Sequence, residues 1–119
     1  MKADPGKIAA AYAKNGAACI SVLTDQHYFG GQIEFIQQVK AVVELPILRK
    51  DFIFDYFQVL ESRLMGADAL LLIVAILEQE HLKSLVDQTR SLGMEALVEV
   101  HTEDELEVAL RIDAKIIGI

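Results

Sequence analysis

Apolar and polar residues along this chain alternate between two spacings. Segments with apolar residues three or four positions apart, the pattern of an amphipathic helix, are separated by short runs that are apolar throughout. The helical spacing follows Asp4 and recurs at residues 33–43, 57–65, 78–92 and 102–112. The apolar runs predict five strands, at residues 18–23, 46–50, 69–74, 95–100 and 115–119. Such runs are typical of parallel strands that are covered on both faces.

Residues that begin and end helices lie at the boundaries of these segments. Asp4 before Pro5 is a typical helix start, and Thr102 with Glu105 three residues later predicts a capping box. Helix ends are predicted at Gly16, Gly66 and Gly93, because glycine adopts the left-handed backbone of a helix end without strain. The phrases "NGAACISVL", "MGADALLLI" and "LGMEALVEV" therefore repeat one order of helix end, small residue and strand.

Strand starts roughly 19–29 residues apart are what repeated βα units require, so the fold class is α/β with parallel strands. Two architectures fit. A doubly wound sheet of flavodoxin or receiver type would be complete in ~120 residues. A TIM (β/α)8 barrel takes ~250 residues, of which this chain would be about half. Because the chain begins with a helix and ends at Gly118–Ile119 without a covering helix, we expect a single partial (β/α)8-barrel domain over residues 1–119.

Composition narrows the classes of partner. The chain has 119 residues, 53% of them hydrophobic, and a formal charge of −7, with eleven basic against eighteen acidic residues. No broad basic face can form, which argues against nucleic acid as a partner. The longest uncharged apolar run, residues 69–77, is far shorter than the ~20 residues that cross a membrane. No secretory signal pattern opens the chain, so we expect a cytoplasmic location.

Metal and disulfide chemistry are not expected. Cys19 is the only cysteine, so it has no partner for an internal disulfide. His27, His81 and His101 lie far apart in the sequence, without a spacing typical of metal ligands.

Two charged residues interrupt the apolar strands near their carboxyl ends. Lys50 ends the second predicted strand, and Glu99 lies near the end of the fourth. The carboxyl ends of parallel strands form the functional face of α/β folds, so these side chains could share one pocket. A lysine there can donate a proton to a carbonyl, and a glutamate can accept one. On these residues alone a second interpretation stays open, in which both charges simply mark where the sheet meets water.

Five segments, taken in order, resemble one enzyme family. They are "CISVLTDQHYFGGQ" (19–32), "LPILRKDFIFD" (45–55), "GADALLLIVAIL" (66–77), "LGMEALVEVH" (92–101) and "AKIIGI" (114–119). Together they closely resemble indole-3-glycerol phosphate synthase of tryptophan biosynthesis. The resemblance implies an internal fragment of a (β/α)8 barrel, without the first strand and the last part of the barrel.

The resemblance also implies site residues and a reaction. The lysine of "RKDF" and the glutamate of "VEV" are catalytic in the family, and they correspond to Lys50 and Glu99. The substrate's anthranilate ring would be held by four further residues: Phe52, Phe29, Leu23 and Leu71. The family is a carboxy-lyase that closes the indole ring of 1-(2-carboxyphenylamino)-1-deoxyribulose 5-phosphate with loss of CO2 and water. It uses no cofactor and no metal.

Departures from the family pattern limit what this chain is expected to do. The first-strand segment with its second lysine and the late phosphate-binding loops are absent, so we expect negligible catalysis by the chain alone. Asp113 replaces the usual glycine at a helix end, where the left-handed backbone suits glycine better. Exposed sheet edges predict self-association. The alternatives are a non-catalytic half-barrel and a flavodoxin-like or receiver-like interaction module.

Overall fold

The computed structural model describes residues 4–26 and 30–119. Its five strands are β1 (Ile20–Leu23), β2 (Ile47–Lys50), β3 (Ala69–Ile73), β4 (Glu95–Glu99) and β5 (Ile116–Gly118). The helices are α1 (Pro5–Lys14), α2 (Glu34–Lys40), α3 (Tyr56–Leu64), α4 (Gln79–Ser91) and α5 (Glu103–Arg111), and a short 3₁₀ turn, Val74–Ile76, follows β3. Each predicted strand is present, one or two residues shorter than the sequence indicated.

The order of the strands distinguishes the two candidate architectures. All five form one sheet, each strand parallel to the next, in the order β1-β2-β3-β4-β5. A doubly wound sheet reverses direction once across its strand order, and this sheet does not. The prediction of parallel βα repeats from a (β/α)8 barrel is confirmed, and the flavodoxin-like and receiver-like alternative is wrong.

The helices pack on one face of the sheet, where the hydrophobic core lies. The strand residues in this core are Ile20, Val22, Ile47, Leu70, Leu72, Ala96 and Val98. Helix residues that meet them include Ile36, Val39, Val59, Leu82, Leu85, Val86 and Ala109. Because side chains alternate along a strand, the residues between these core positions face the other side, which corresponds to the interior of a barrel. That face is only partly covered, so the expectation that most strands are buried on both sides is wrong for this chain: five strands form only part of a barrel wall.

Helix α2 is shorter than its apolar spacing predicted. It ends at Lys40 with Ala41 as its C-cap, rather than at residue 43. Val42 and Val43 are β-branched and lose side-chain freedom in a helix, and Leu45 precedes Pro46, which disfavours helical backbone there. Val43 is nevertheless buried in the core.

Helix ends show the predicted backbone. Gly16, Gly66 and Gly93 have φ values of 94°, 96° and 81°. Asp113 adopts φ 59° at the end of α5, among the described residues the one non-glycine position with positive φ. The sequence predicted backbone strain here, because Asp113 occupies a position where the resembled family has glycine.

The amino ends of β2 and β3 are joined by one carboxylate. Asp68 precedes β3, and its Oδ2 accepts a hydrogen bond from the Ile47 backbone N–H at 2.9 Å. The Asp68 N–H in turn donates to the Ile47 carbonyl, also at 2.9 Å. Lys40 Nζ lies 3.0 Å from the same Oδ2 in a more exposed contact. Asp68 thereby connects two strands at the end of the sheet opposite the predicted site.

The longest described helix, α4, has 13 residues. Within residues 4–26 and 30–119, no helix combines the length and apolar character that crossing a membrane would require.

Candidate active site

A pocket of about 240 Å³ opens at the carboxyl ends of the strands. It is lined by Leu23, Asp25, Lys50, Asp51, Phe52, Leu71, Ile73 and Glu99. Five of the six residues predicted from the sequence therefore line one pocket. The sixth, Phe29, lies outside the described residues.

Strand register explains why these side chains meet. Leu23 pairs with Lys50 across β1 and β2, and Ile73 pairs with Glu99 across β3 and β4. In a parallel pair, residues in register point to the same face. Lys50 and Glu99 thus come from the second and fourth strands at the same end of the sheet. Leu71 lies two residues before Ile73 on the strand between them, and it is only 5% exposed.

Among the described residues that line this pocket, Lys50 carries the one positive charge. In the part of the chain that the structure describes, no salt bridge joins its amine to a carboxylate. Three carboxylates, Asp25, Asp51 and Glu99, share the pocket with it. An unpaired amine between apolar walls and nearby carboxylates is available to interact with a ligand's oxygen atoms.

Glu99 is half-buried and contacts the next polar residue on its own strand end. His101 Nε2 lies 3.2 Å from Glu99 Oε2. The His101 backbone N–H donates to Glu105 Oε1 at 2.9 Å, while the Glu105 N–H donates to Thr102 Oγ1 at 3.1 Å. The predicted capping box is therefore incomplete, since Glu105 reaches past Thr102 to the preceding residue. This arrangement fixes the backbone that follows Glu99.

The sequence model of the family described as "Indole-3-glycerol phosphate synthase" matches residues 1–119. The chain belongs to the indole-3-glycerol phosphate synthase family. Curated proteins with that name from Kineococcus radiotolerans and Mycobacterium avium are 53% and 55% identical over 116 and 117 residues. Each match covers 98% of this chain but 42% and 43% of the relative. The chain thus spans less than half the length of these relatives.

A solved structure supports the fold independently. KGPDC from Streptococcus mutans superposes with a TM-score of 0.69 at 17% identity, covering 91% of this chain and 55% of that chain. It is a TIM barrel, and at this identity the likeness shows the fold alone.

The synthase motif "RKDF" contains a structural residue beside the predicted catalytic one. Arg49 is only 4% exposed and lies on the helix side of β2. Its guanidinium donates to Thr24 Oγ1 at 3.0 Å, to Ser62 Oγ at 2.9 Å and to the Gln58 carbonyl at 3.0 Å. It also lies 3.2 Å from Asp51 Oδ2 and 2.9 Å from Glu61 Oε1. Arg49 therefore ties the carboxyl ends of β1 and β2 to helix α3.

Asp51 is engaged on both of its oxygens. Its Oδ2 accepts from Thr24 Oγ1 at 2.6 Å as well as from Arg49, and its Oδ1 accepts from the Phe52 N–H at 2.7 Å. Although Asp51 lines the pocket, these bonds give it a structural role at the end of β2.

Gly31 lies against the carboxyl end of β1. The Gly31 N–H donates to the Asp25 carbonyl at 2.7 Å. A Cβ atom at Gly31 would lie 2.3 Å from the Leu23 carbonyl oxygen, so a side chain cannot be accommodated there. The close approach keeps Gly31 beside Leu23 and Asp25, which line the pocket.

Sequence reasoning missed this second layer of residues. The signals were present: Asp55 followed three residues later by Gln58 has the spacing of a capping box, and the structure shows both of its hydrogen bonds. Thr24, Asp25 and Asp51 follow strand ends, where polar residues are frequent, and the sequence alone did not separate them from ordinary loop residues. Among the described residues, no group of three or more histidine, cysteine, aspartate or glutamate side chains could hold a metal ion.

Proposed function

We propose that this chain supplies the Lys50–Glu99 part of the active site of an indole-3-glycerol phosphate synthase. The reaction is ring closure and decarboxylation of 1-(2-carboxyphenylamino)-1-deoxyribulose 5-phosphate. One observation carries the proposal: an amine and a carboxylate from alternate parallel strands line one pocket together with the apolar residues Leu23, Leu71 and Phe52. Family membership makes this chemistry the natural use of that pocket.

In the proposed mechanism Lys50 is the general acid. It protonates the ribulose carbonyl, which makes the carbonyl carbon electrophilic enough for attack by the carboxylated ring carbon of the anthranilate. The new carbon–carbon bond forms, the carboxylate leaves as CO2, and the former carbonyl oxygen leaves as water. Proton transfer by a positioned side chain contributes about 10²–10⁴-fold to such a step.

Glu99 is proposed to move protons during ring closure and dehydration. It lies across the pocket lining from Lys50, on β4. A carboxylate there can accept the proton lost when water departs and the indole regains aromaticity. His101, in contact with Glu99, is exposed and orients that carboxylate rather than reacting itself.

The apolar walls are proposed to hold the anthranilate ring. Leu23 and Leu71 face the pocket from β1 and β3, and Phe52 follows the end of β2. We propose that Phe29 contributes as well. At about 240 Å³ the pocket is smaller than the ~300–1,000 Å³ of typical ligand sites, so it suits the ring and the reacting carbonyl but not the whole substrate. Since Lys50 is the sole cation that the described residues contribute to the lining, we propose that the substrate's phosphate binds elsewhere in the protein.

The proposed setting follows from the reaction. A phosphorylated biosynthetic intermediate is handled in the cytoplasm, where we place the protein. The chemistry of the proposed mechanism calls on side chains alone, without a cofactor.

A chimera tests the proposal. Residues 1–119 replace the matched segment of a full-length relative, and ring closure is followed by the fluorescence of the indole product. We expect turnover within about tenfold of the parent, and Lys50→Met in the chimera to lower kcat by about 10²–10⁴-fold. A chimera that folds like the parent, by circular dichroism and thermal melting, but gives no turnover would support a non-catalytic half-barrel instead.

A further inference from the structure

The connection between β2 and α3 carries one of the pocket's aromatic side chains. It runs from Asp51 to Asp55, and Phe52 lies near its start. Phe52 is half-buried, and its ring lines the pocket together with Lys50. A residue outside regular secondary structure has no strand ladder to fix it, so other bonds must set the position of this ring.

Two side chains hold the peptide groups of Phe52. Its N–H donates to Asp51 Oδ1 at 2.7 Å, and its carbonyl accepts from Gln58 Nε2 at 2.9 Å. Asp51 is in turn held by Thr24 and Arg49. The N–H of Phe52 is therefore held by Asp51, which is anchored to Thr24 and Arg49, and its carbonyl is held by Gln58 of α3.

Both the oxygen and the nitrogen of the Gln58 side-chain amide form hydrogen bonds to the connection between β2 and α3. Its Oε1 accepts from the Phe54 N–H at 2.7 Å and from the Asp55 N–H at 3.1 Å, while Nε2 donates to Phe52. The partners fix the orientation of the amide, because two N–H groups require the oxygen and a carbonyl requires the nitrogen. The Gln58 backbone is anchored too, since its carbonyl accepts from Arg49 Nη1 and Ser62 Oγ.

Helix capping accounts for only part of this arrangement. The capping box needs the Asp55 carboxylate on the Gln58 N–H and the Gln58 oxygen on the Asp55 N–H, and both bonds are present. Glutamate would serve the capping box equally well. The bond from Nε2 to the Phe52 carbonyl is additional, and only an amide can make it while also accepting from Phe54 and Asp55.

We propose that Gln58 is a positioning residue for the Phe52 ring, and that its amide nitrogen sets where the aromatic part of the substrate binds. The inference rests on the proposed function, in which Phe52 contacts the anthranilate ring. Gln58 itself acts through the backbone of Phe52 and does not line the pocket described above.

The decisive variant is Gln58→Glu in the 119-residue chain. Gln58→Glu keeps the acceptor for Phe54 and Asp55 but replaces the donor with an oxygen that repels the Phe52 carbonyl. Gln37→Glu, the same change at an exposed position of α2, controls for the added charge.

The first readout needs no ligand. In ¹⁵N relaxation measurements, we expect Gln58→Glu to lower the heteronuclear NOE of the Phe52 and Ile53 amides while those within α3 keep wild-type values. Gln37→Glu should change neither. Wild-type order at Phe52 in Gln58→Glu would overturn the proposal, since a purely helix-capping residue predicts that result.

The second readout measures the binding of anthranilate by the change in the ligand's own fluorescence. The chain has no tryptophan whose emission would overlap with that signal. We expect Gln58→Glu to weaken binding about three- to tenfold, and to have no further effect in a Phe52→Ala background, because coupled residues are non-additive. Equal losses in both backgrounds would contradict action through Phe52. If the wild-type chain binds no anthranilate while the relaxation result holds, the proposed function loses its support and the ordering of Phe52 by Gln58 stands.

Discussion

Arg49 and Lys50 are neighbours in β2, yet their side chains lie on opposite faces of the sheet. Arg49 points toward α3 and is only 4% exposed, with hydrogen bonds or ion pairs on all of its nitrogen atoms. Lys50 is exposed and lines the pocket at the mouth of the sheet. One dipeptide thus supplies a structural cation and a proposed catalytic cation.

Replacing each cation with methionine should separate these roles. Arg49→Met leaves Asp51 and Thr24 without their buried donor, so we expect the free energy of unfolding to fall by about 3–5 kcal/mol. Lys50→Met should change it by less than about 1 kcal/mol, because its exposed amine forms no salt bridge with a residue that the structure describes. Urea titration followed by circular dichroism measures both. A similar loss for the two variants would contradict the division between the faces.

The Glu99–His101 contact predicts unequal effects on activity. In the full-length chimera, Glu99→Gln keeps the shape of the side chain but removes the proton acceptor, so kcat should fall by about 10²–10⁴-fold. His101→Ala removes an exposed contact at 3.2 Å and should cost about tenfold or less. Steady-state kinetics compares the two. A larger loss for His101→Ala would assign the proton transfer to the imidazole.

Asp68 should be important for stability although it is far from the pocket. Asp68→Ala leaves the Ile47 N–H without its acceptor at the start of β2, which should cost about 1–3 kcal/mol of unfolding free energy. Lys40→Ala removes only the exposed ion pair to the same carboxylate and should cost about 1 kcal/mol or less. Thermal and urea unfolding of the two variants give the comparison. A larger loss of unfolding free energy for Lys40→Ala than for Asp68→Ala would make the ion pair the dominant interaction.

The left-handed backbone at Asp113 offers a stabilising substitution. Asp113→Gly should raise the free energy of unfolding by about 0.5–1 kcal/mol, because glycine adopts φ 59° without steric cost and removes a negative charge from a helix C-terminus. Asp113→Ala keeps the strain while removing the charge, so it is the matched control. Differential scanning calorimetry should show a higher Tm for the glycine variant than for the alanine variant. Equal gains would assign the effect to charge.

The isolated chain is predicted to self-associate. In the described sheet β1 and β5 each pair with one neighbour, so each presents an edge, and apolar side chains of the inner face such as Leu23 and Ile116 are 37% and 42% exposed. Sedimentation velocity at micromolar concentration should show species larger than 13.2 kDa. Ile116→Lys puts a charge on the inner face at one edge and should shift the distribution toward monomer. A clean monomer for the wild-type chain would refute the prediction.

Most of the fold could be predicted from the sequence because its signals are local. Apolar runs mark strands, and the glycines at the ends of α1, α3 and α4 mark helix ends by a backbone requirement that few other residues meet. The end of α2 was misplaced, since apolar spacing continued through Val43 after the backbone had ceased to be helical. Strand order is non-local: the repeat alone fitted two architectures, and the family resemblance favoured the barrel.

The candidate site likewise contains residues that the sequence predicted and residues that it did not. Lys50 and Glu99 were detectable because a charge within an apolar strand is unusual, and parallel strands bring such residues to one edge. Arg49 is charged as well, but the alternation of side chains along the strand predicted only which face of the sheet it lies on. It did not predict its hydrogen-bond partners. The partners of Gln58 come from a connection whose course the sequence pattern does not determine. Residues that support a site through backbone hydrogen bonds leave little compositional trace.

The Asp68 bond to Ile47 lies at one extremity of β2, and Lys50 ends the other. A stabilising hydrogen bond and the proposed catalytic amine therefore lie at opposite ends of a four-residue strand. Evolution or an engineer can alter the residues around the amine to accept a different ring while the opposite extremity keeps the scaffold intact. A barrel assembled from such units can change its chemistry one strand at a time.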